Sequence, residues 1–174
     1  LGGAWGFTAK PGTLSHWPGG LVLAFPAAGS VSGTLVLDRG DLRFGIFGLI
    51  GKEAVFYASG AGAIGFPDAI ETAKEMVRLL REEERVDVVI CLSHGGLEKG
   101  KDGRYTDGDD VRLAKAVPGI DVVIGGHSHT ELQEAIIVNG RTPVVQTGLE
   151  GRNLGELVIT LDGDKLTVES YRLH

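Results

Sequence analysis

The hydrophobic positions of this chain fall into short runs that are separated by turn residues. Val122–Ile124 and Val88–Leu92 are continuous apolar runs, which is the profile of strands buried on both faces of a parallel sheet. Leu42–Ile50 is a longer run, and Asp38–Asp41 joins it to Thr34–Leu37 with a hairpin signal. The pattern therefore predicts a sheet whose central strands are buried.

One amphipathic stretch separates the strand at residues 42–50 from the strand that follows Arg85. Asp68 can cap a helix here, and Glu71 completes a capping-box pattern. A strand–helix–strand order of this kind implies a parallel pair of strands with a right-handed connection. The apolar positions of residues 68–85 recur at helical spacing and form one buried stripe, made of Ile70, Ala73, Val77 and Leu80.

Shorter elements are predicted in the second half of the chain. Residues 95–108 are polar and are interpreted as a loop of turns. Asp109 or Asp110 is expected to cap a short helix that Pro118-Gly119 ends. Beyond residue 130 the pattern predicts two antiparallel hairpins, one around Asn139-Gly140 and one around residues 162–164.

Histidines follow both buried runs. His94 precedes Gly95-Gly96, whereas His127 and His129 follow Gly125-Gly126. Because the carboxyl ends of parallel strands meet at one edge of a sheet, where α/β sheets bind ligands, we expect the three imidazoles to converge. If the backbone is extended, the side chains of His127 and His129 point to the same side, an arrangement that suits one metal ion or two adjacent ions. A polar turn with two exposed histidines is the alternative.

Composition narrows the class of protein. With 174 residues, 43% of them apolar and 23% charged, residues 1–174 are interpreted as a single soluble domain, in which residues 1–20 are irregular and Leu21–Phe25 is a short strand. The net charge of −6 and the lack of a Lys/Arg cluster argue against a nucleic-acid partner. No apolar run approaches the roughly 20 residues of a membrane span. The single cysteine, Cys91, can form no internal disulfide.

Residues 86–172 resemble the second half of the catalytic domain of the 5′-nucleotidase-type metallophosphoesterases, which are calcineurin-like. The resemblance implies an α/β (α+β) fold, a two-sheet αββα sandwich that is partial here and carries C-terminal antiparallel hairpins. The motifs are specific only together and in this order. They are Leu92-Ser93-His94, Asp110-Val111-Arg112-Leu113-Ala114, Pro118-Gly119-Ile120-Asp121, Gly125-Gly126-His127-Ser128-His129-Thr130, and Val145-Gln146-Thr147-Gly148 before Leu154-Gly155.

The resemblance also implies a two-metal site that hydrolyses phosphoesters. Carried over residue by residue, His94 and His127 would ligate one metal ion and His129 the other, and Gly125 and Gly126 would let the backbone approach the site. The complete domain is expected to bind two divalent ions. Zinc or manganese is expected, because imidazole suits zinc while carboxylate and water favour manganese.

The chain departs from the family in its first half. Family members open with Asp-x-His, Gly-Asp and Gly-Asn-His-Glu/Asp motifs, which supply the other metal ligands and a helper histidine, and this sequence lacks that series. Activity is therefore expected to depend on the remainder of the metallophosphoesterase domain, and no catalytic acid is assigned. Asp110 and Gln146 match family positions that are interpreted as structural.

Two functions are consistent with these residues. The first is a metal-dependent phosphoester hydrolase of the 5′-nucleotidase type, acting on a nucleotide or another phosphoester. The alternative is a non-catalytic metal-binding or interaction module derived from this family. The resemblance implies a periplasmic or extracellular location, although no signal peptide is recognised after Leu1. An upstream reading frame encoding the missing motifs would favour the hydrolase.

Overall fold

One mixed sheet of six strands forms the centre of the computed structural model, which describes residues 34–57, 65–163 and 165–174. The predictions for residues 1–20 and Leu21–Phe25 lie outside this part of the chain. In chain order the elements are β1 (Thr34–Arg39), β2 (Leu42–Ile50), α1 (Lys52–Tyr57), α2 (Ala69–Arg78), β3 (Val88–His94), β4 (Glu98–Lys99), β5 (Tyr105–Asp107), α3 (Asp109–Ala116), β6 (Val122–Ile124), β7 (Ile136–Val138), β8 (Thr142–Val145), β9 (Gly155–Asp162) and β10 (Lys165–Leu173).

The strand order in this sheet is β1-β2-β3-β6-β8-β7. Strands β2, β3, β6 and β8 run parallel, and the edge strands β1 and β7 pair antiparallel with their neighbours. The predicted hairpin at residues 34–50 and the predicted parallel pairing of β2 with β3 are therefore confirmed. Both C-terminal hairpins are also confirmed, since β7 pairs with β8 and β9 with β10.

Both faces of the sheet are covered, which explains the continuous apolar runs. On one face Val89, Cys91 and Val123 pack in a cluster with buried side chains of α2 and α3. On the other face Val88 and Ile90 pack with the inner side chains of the β9–β10 sheet. Successive residues of a strand face opposite sides, so one run contributes to two cores. The predicted arrangement of two packed sheets with helices outside is confirmed.

Helix α2 begins as its sequence predicts. The Asp68 Oδ1 atom accepts hydrogen bonds from the backbone N–H groups of Ile70 and Glu71, at 2.9 and 3.1 Å. The Glu71 carboxylate pairs with Lys74 instead of completing the capping box. The helix continues into a π-helical turn, Leu79–Glu83, which contributes a fully buried leucine, Leu80. No helix in residues 34–57, 65–163 and 165–174 is long and apolar enough to cross a membrane.

The structure corrects the predicted start of α3. Gly108 occupies the N-cap position, so neither Asp109 nor Asp110 caps the helix through its side chain. The carboxylate of Asp110 is instead fully buried and accepts a hydrogen bond from the Ser93 hydroxyl at 2.5 Å. The loop that precedes α3 also contains the short β4–β5 ribbon, which the turn-rich sequence did not predict.

Asp121 ties the amino-terminal ends of β3 and β6 to the surrounding elements. Its buried carboxylate accepts hydrogen bonds from Arg81, from Arg141 at 2.5 Å and from the Val89 backbone N–H at 2.7 Å. A buried carboxylate of this kind is tolerated because two guanidinium groups compensate its charge. Asp121 therefore stabilises the edge of the sheet that lies away from the histidines.

Replacing Asp121 by alanine should lower the free energy of unfolding by about 3–5 kcal/mol, because both arginines lose their buried partner. Urea denaturation measures this loss. Glu71→Ala is the control, since the Glu71 carboxylate is exposed and, in the part of the chain that the structure describes, pairs with Lys74 alone, at 2.7 Å. We expect that control to lose less than about 1 kcal/mol. Equal losses in the two variants would contradict the role given to Asp121.

Candidate functional site

The structure brings two of the three predicted histidines together. His94 is the last residue of β3, and His127 follows β6 by three residues, so parallel pairing places both at the carboxyl edge of the sheet. Their ring centroids are 5.1 Å apart and the ring planes are inclined by 60°. His129 is exposed, and it lies close enough to His94 for its charge to affect the pKa of that ring.

The backbone that carries His127 and His129 is not extended, so the condition under which both rings would point to the same side is not met. Both residues have left-handed backbone angles, with φ of 71° and 54°. The Ser128 N–H donates a hydrogen bond to the Gly126 carbonyl at 2.9 Å, which closes a tight γ-turn around His127. Residues other than glycine rarely adopt this backbone conformation, and it persists only where surrounding contacts enforce it.

The side-chain amide of Gln146, immediately after β8, provides those contacts. Its Oε1 atom accepts hydrogen bonds from the Thr130 backbone N–H at 2.5 Å and from the Ser128 hydroxyl at 3.1 Å. Its Nε2 atom donates to the Gly126 carbonyl at 3.1 Å. Gln146 is only 1% exposed, and its bond to the Thr130 N–H is buried. One buried side chain thus holds both ends of the histidine turn.

The two glycines before His127 have different surroundings. A Cβ atom on Gly125 would overlap the Asp110 carboxylate and approach the Gln146 amide, so this glycine allows close packing beneath the turn. A Cβ atom on Gly126 would lie 3.3 Å from the His94 Nδ1 atom. The absence of a side chain at Gly126 therefore keeps that face of the His94 ring open.

Partial desolvation and neighbouring charge favour the uncharged form of His94, although the residue is exposed at its outer side. Desolvation lowers the pKa of its imidazole, and the charges of His127 and His129 lower it further. A neutral ring offers a nitrogen lone pair, which is the form that binds metal ions. The electrostatics of this edge therefore suit a ligand histidine better than a cationic one.

Asp110 lies beneath the site and has a perturbed acidity. Burial raises the pKa of its carboxyl group to about 7, against the opposing effect of hydrogen bonds from Ser93 and the Gly96 backbone. Its Oδ2 atom has no hydrogen-bond partner among the described residues. Asp110 therefore reaches the site through Ser93, the neighbour of His94, and through its packing against Gly125.

A cleft of about 450 Å³ opens beside His127, bounded in part by Lys52 and Glu53 at the start of α1. The Glu53 carboxylate lies 3.8 Å from the His127 Nε2 atom. Sequence reasoning missed this helix, although a signal existed. Because β2 runs parallel to β3, the residues that follow β2 must emerge at the edge where the histidines lie.

The residues present fit only a share of a two-metal site. Two imidazoles whose centroids are 5.1 Å apart can face one ion, since each nitrogen lies about 2.0–2.1 Å from a bound zinc. Within residues 34–57, 65–163 and 165–174, however, no group of three or more His, Cys, Asp or Glu side chains is placed to hold a metal ion. Further donors would be required to complete such a site.

The amino-acid sequence of this chain is similar to known proteins over most of its length. It is 35% identical over 130 residues to the trifunctional nucleotide phosphoesterase protein YfkN of Bacillus subtilis, a match that spans 74% of this chain and 8% of the relative. It is 32% identical over 144 residues to a 5′-nucleotidase of Diplobatis ommata, spanning 73% of this chain and 23% of that protein.

A solved structure has a similar fold. The structure of a 5′-nucleotidase precursor from Thermus thermophilus superposes with a TM-score of 0.61 and 27% identity, covering 80% of this chain and 28% of the other. The chain therefore spans less than a third of each of these three relatives.

A different part of the chain matches a family model. Residues 1–58, one third of the chain, match the family described as NicX: 2,5-dihydroxypyridine 5,6-dioxygenase.

The stability of the protein should fall between about pH 4 and pH 7 because of Asp110. Its pKa of about 7 in the folded state lies above the ordinary 3.8, so the stabilising proton is held at low pH and lost as the pH rises. Asp110→Asn removes this titration. Relative to that variant, the unmodified protein should lose up to about 4 kcal/mol across this range, measured by denaturation at several pH values. A difference that does not vary with pH would contradict the assignment.

Gly125→Ala should destabilise the protein by about 1–3 kcal/mol, because the added methyl group meets Asp110 and Gln146 in a packed interior. Gly48→Ala is the matched control, since a Cβ atom there lies 3.8 Å from its nearest neighbouring atom, the Leu92 carbonyl oxygen. Thermal or urea denaturation of both variants measures the difference. Equal stability of the two would show that the space at Gly125 is not constrained.

Proposed function

Because the chain is a homologue of the 5′-nucleotidases and calcineurin-like phosphoesterases and spans only part of them, we propose that it contributes the second-half histidines of a metal-dependent phosphoester hydrolase. A nucleotide is the proposed substrate, because the names of the relatives refer to nucleotides. The residues proposed as metal ligands are His94, His127 and His129. The chain is accordingly proposed to be the C-terminal part of a metallophosphoesterase domain.

The convergence of His94 and His127 is the observation that carries this proposal. The two rings come from the ends of different parallel strands and reach a centroid separation of 5.1 Å. A left-handed backbone conformation at His127 is energetically unfavourable, so an unconstrained polar turn would not retain it. The buried Gln146 amide enforces that conformation at the edge where α/β folds bind ligands.

The chain's own residues would perform a limited set of tasks. His94 and His127 would present ring nitrogens to one divalent ion and His129 to a second, while Gly126 keeps the approach to His94 open. When bound, such ions lower the pKa of a coordinated water and neutralise charge that develops on the phosphoryl group. The proton donor for the leaving oxygen and the remaining ligands are proposed to lie elsewhere in the complete domain. Zinc or manganese suits a site of mixed imidazole and carboxylate donors.

A specific observation also favours a second candidate. The described residues hold no group of three side chains able to bind a metal ion. A module that lacks the first-half ligands would bind metal ions weakly and would serve as a non-catalytic metal-binding or interaction unit. The two candidates differ in turnover, so one assay distinguishes them.

The protein encoded by the complete reading frame should release phosphate from AMP in the presence of manganese or zinc, whereas residues 1–174 alone should be essentially inactive. In the complete protein, His127→Ala should lower turnover by more than about 100-fold, exceeding the usual loss for an outer-shell partner. His174→Ala is the control, because His174 is exposed and its ring faces Glu156 at 3.9 Å.

Two outcomes would count against the proposal. Unchanged turnover in His127→Ala would remove the histidine from the reaction. Lack of phosphate release by the complete protein, on AMP and on p-nitrophenyl phosphate alike, would favour the non-catalytic module. Robust turnover by residues 1–174 alone, lost in His127→Ala, would retain the hydrolase and show that the chain already holds sufficient ligands.

A further inference from the structure

A side-chain hydroxyl joins the loop that follows His94 to the turn that carries His127 and His129. The Ser128 Oγ atom accepts a hydrogen bond from the Leu97 backbone N–H at 2.9 Å, which links the turn after β6 to the loop after β3. The same oxygen donates to Gln146 Oε1 at 3.1 Å and lies 3.0 Å from the Thr130 hydroxyl. The Ser128 hydroxyl is therefore hydrogen-bonded both to the loop after β3 and to Gln146 beyond β8.

We propose that Ser128 is a positioning residue, whose hydroxyl sets the separation of the His94 and His127 rings. Gln146 fixes the turn against β8 but makes no hydrogen bond to the loop that follows His94 among the described residues. The Ser128–Leu97 bond supplies that link. The consequence for hydrolysis rests on the proposed function, whereas the coupling of the loops does not.

Close packing makes the coupling sensitive to small shifts. Gly96 has a φ of 96°, and a Cβ atom there would lie 3.4 Å from both the His127 ring and the Ser128 Cβ atom. The two loops are thus in near contact beside the imidazoles. If the Ser128 hydroxyl is removed, the Leu97 N–H loses its acceptor and the turn is held on one side only. His127, in a strained conformation, is then free to move away from His94.

Removing the Ser128 hydroxyl also affects stability, because the Leu97 N–H loses its acceptor, so the test needs a comparison hydroxyl that lies away from the histidines. The buried hydroxyl of Thr142 provides a contrast, because it donates to the Ile120 carbonyl at 3.0 Å on the other side of the fold from the histidines. Removing the Thr142 hydroxyl should affect stability without changing the ring separation.

The deciding experiment is nuclear magnetic resonance on the 174-residue chain without metal, comparing Ser128→Ala, Ser128→Thr and Thr142→Val. In Ser128→Ala we expect the ring-to-ring nuclear Overhauser contact between His94 and His127 to weaken severalfold and the Leu97 amide to exchange about tenfold faster. Ser128→Thr retains the hydroxyl and should restore both signals. Thr142→Val should leave both unchanged.

Titration of the same variants, and of His127→Ala, with zinc chloride then tests the consequence. Zinc affinity should fall about tenfold in Ser128→Ala, within the range typical of groups that orient metal ligands, and recover in Ser128→Thr. An unaltered ring contact in Ser128→Ala would overturn the positioning role, whatever the zinc data show. A lost ring contact combined with zinc affinity that is insensitive to His127→Ala would support the coupling and overturn the metal-ligand function.

Discussion

The hydrogen bonds of a single buried amide constrain the geometry of the candidate site. Gln146 lies just beyond β8 and satisfies the Thr130 N–H and the Gly126 carbonyl, which flank the histidine turn. Leaving the buried Thr130 N–H without this acceptor would cost about 1–3 kcal/mol, so the turn has little freedom to relax. The left-handed angles at His127 and His129 are stable because this side chain enforces them.

The sheet brings these local contacts to one place. Strands β3, β6 and β8 are parallel and covered on both faces, so loops after their carboxyl ends are the segments left to form a site. Two buried carboxylates lie at opposite ends of this layer. Asp121 is compensated by two arginines, whereas Asp110 has no cationic partner among the described residues and has a raised pKa. The Asp121 ion pairs thus stabilise the amino-terminal edge of the sheet, whereas the carboxylate with the raised pKa lies at the carboxyl edge, near the histidines.

Much of the fold could be predicted from local patterns, because a strand buried on both faces and a capped amphipathic helix each leave a distinct signature. The convergence of His94 and His127 followed from parallel pairing alone. The turn conformation could not be predicted, since it depends on Gln146, which lies 16 residues further along the chain than Thr130. Asp109 or Asp110 was expected to cap α3, and the sequence does not reveal that the Asp110 carboxylate binds Ser93 in the interior instead. Contacts across the sheet decided each of these cases.

Anomalous X-ray diffraction from crystals of the complete protein soaked in zinc chloride tests the central claim most directly. The account predicts a zinc peak within about 2.0–2.1 Å of an imidazole nitrogen of both His94 and His127, with the Gln146 bonds to Gly126 and Thr130 retained. An ordered zinc ion bound elsewhere, with these two rings turned away from each other, would contradict it.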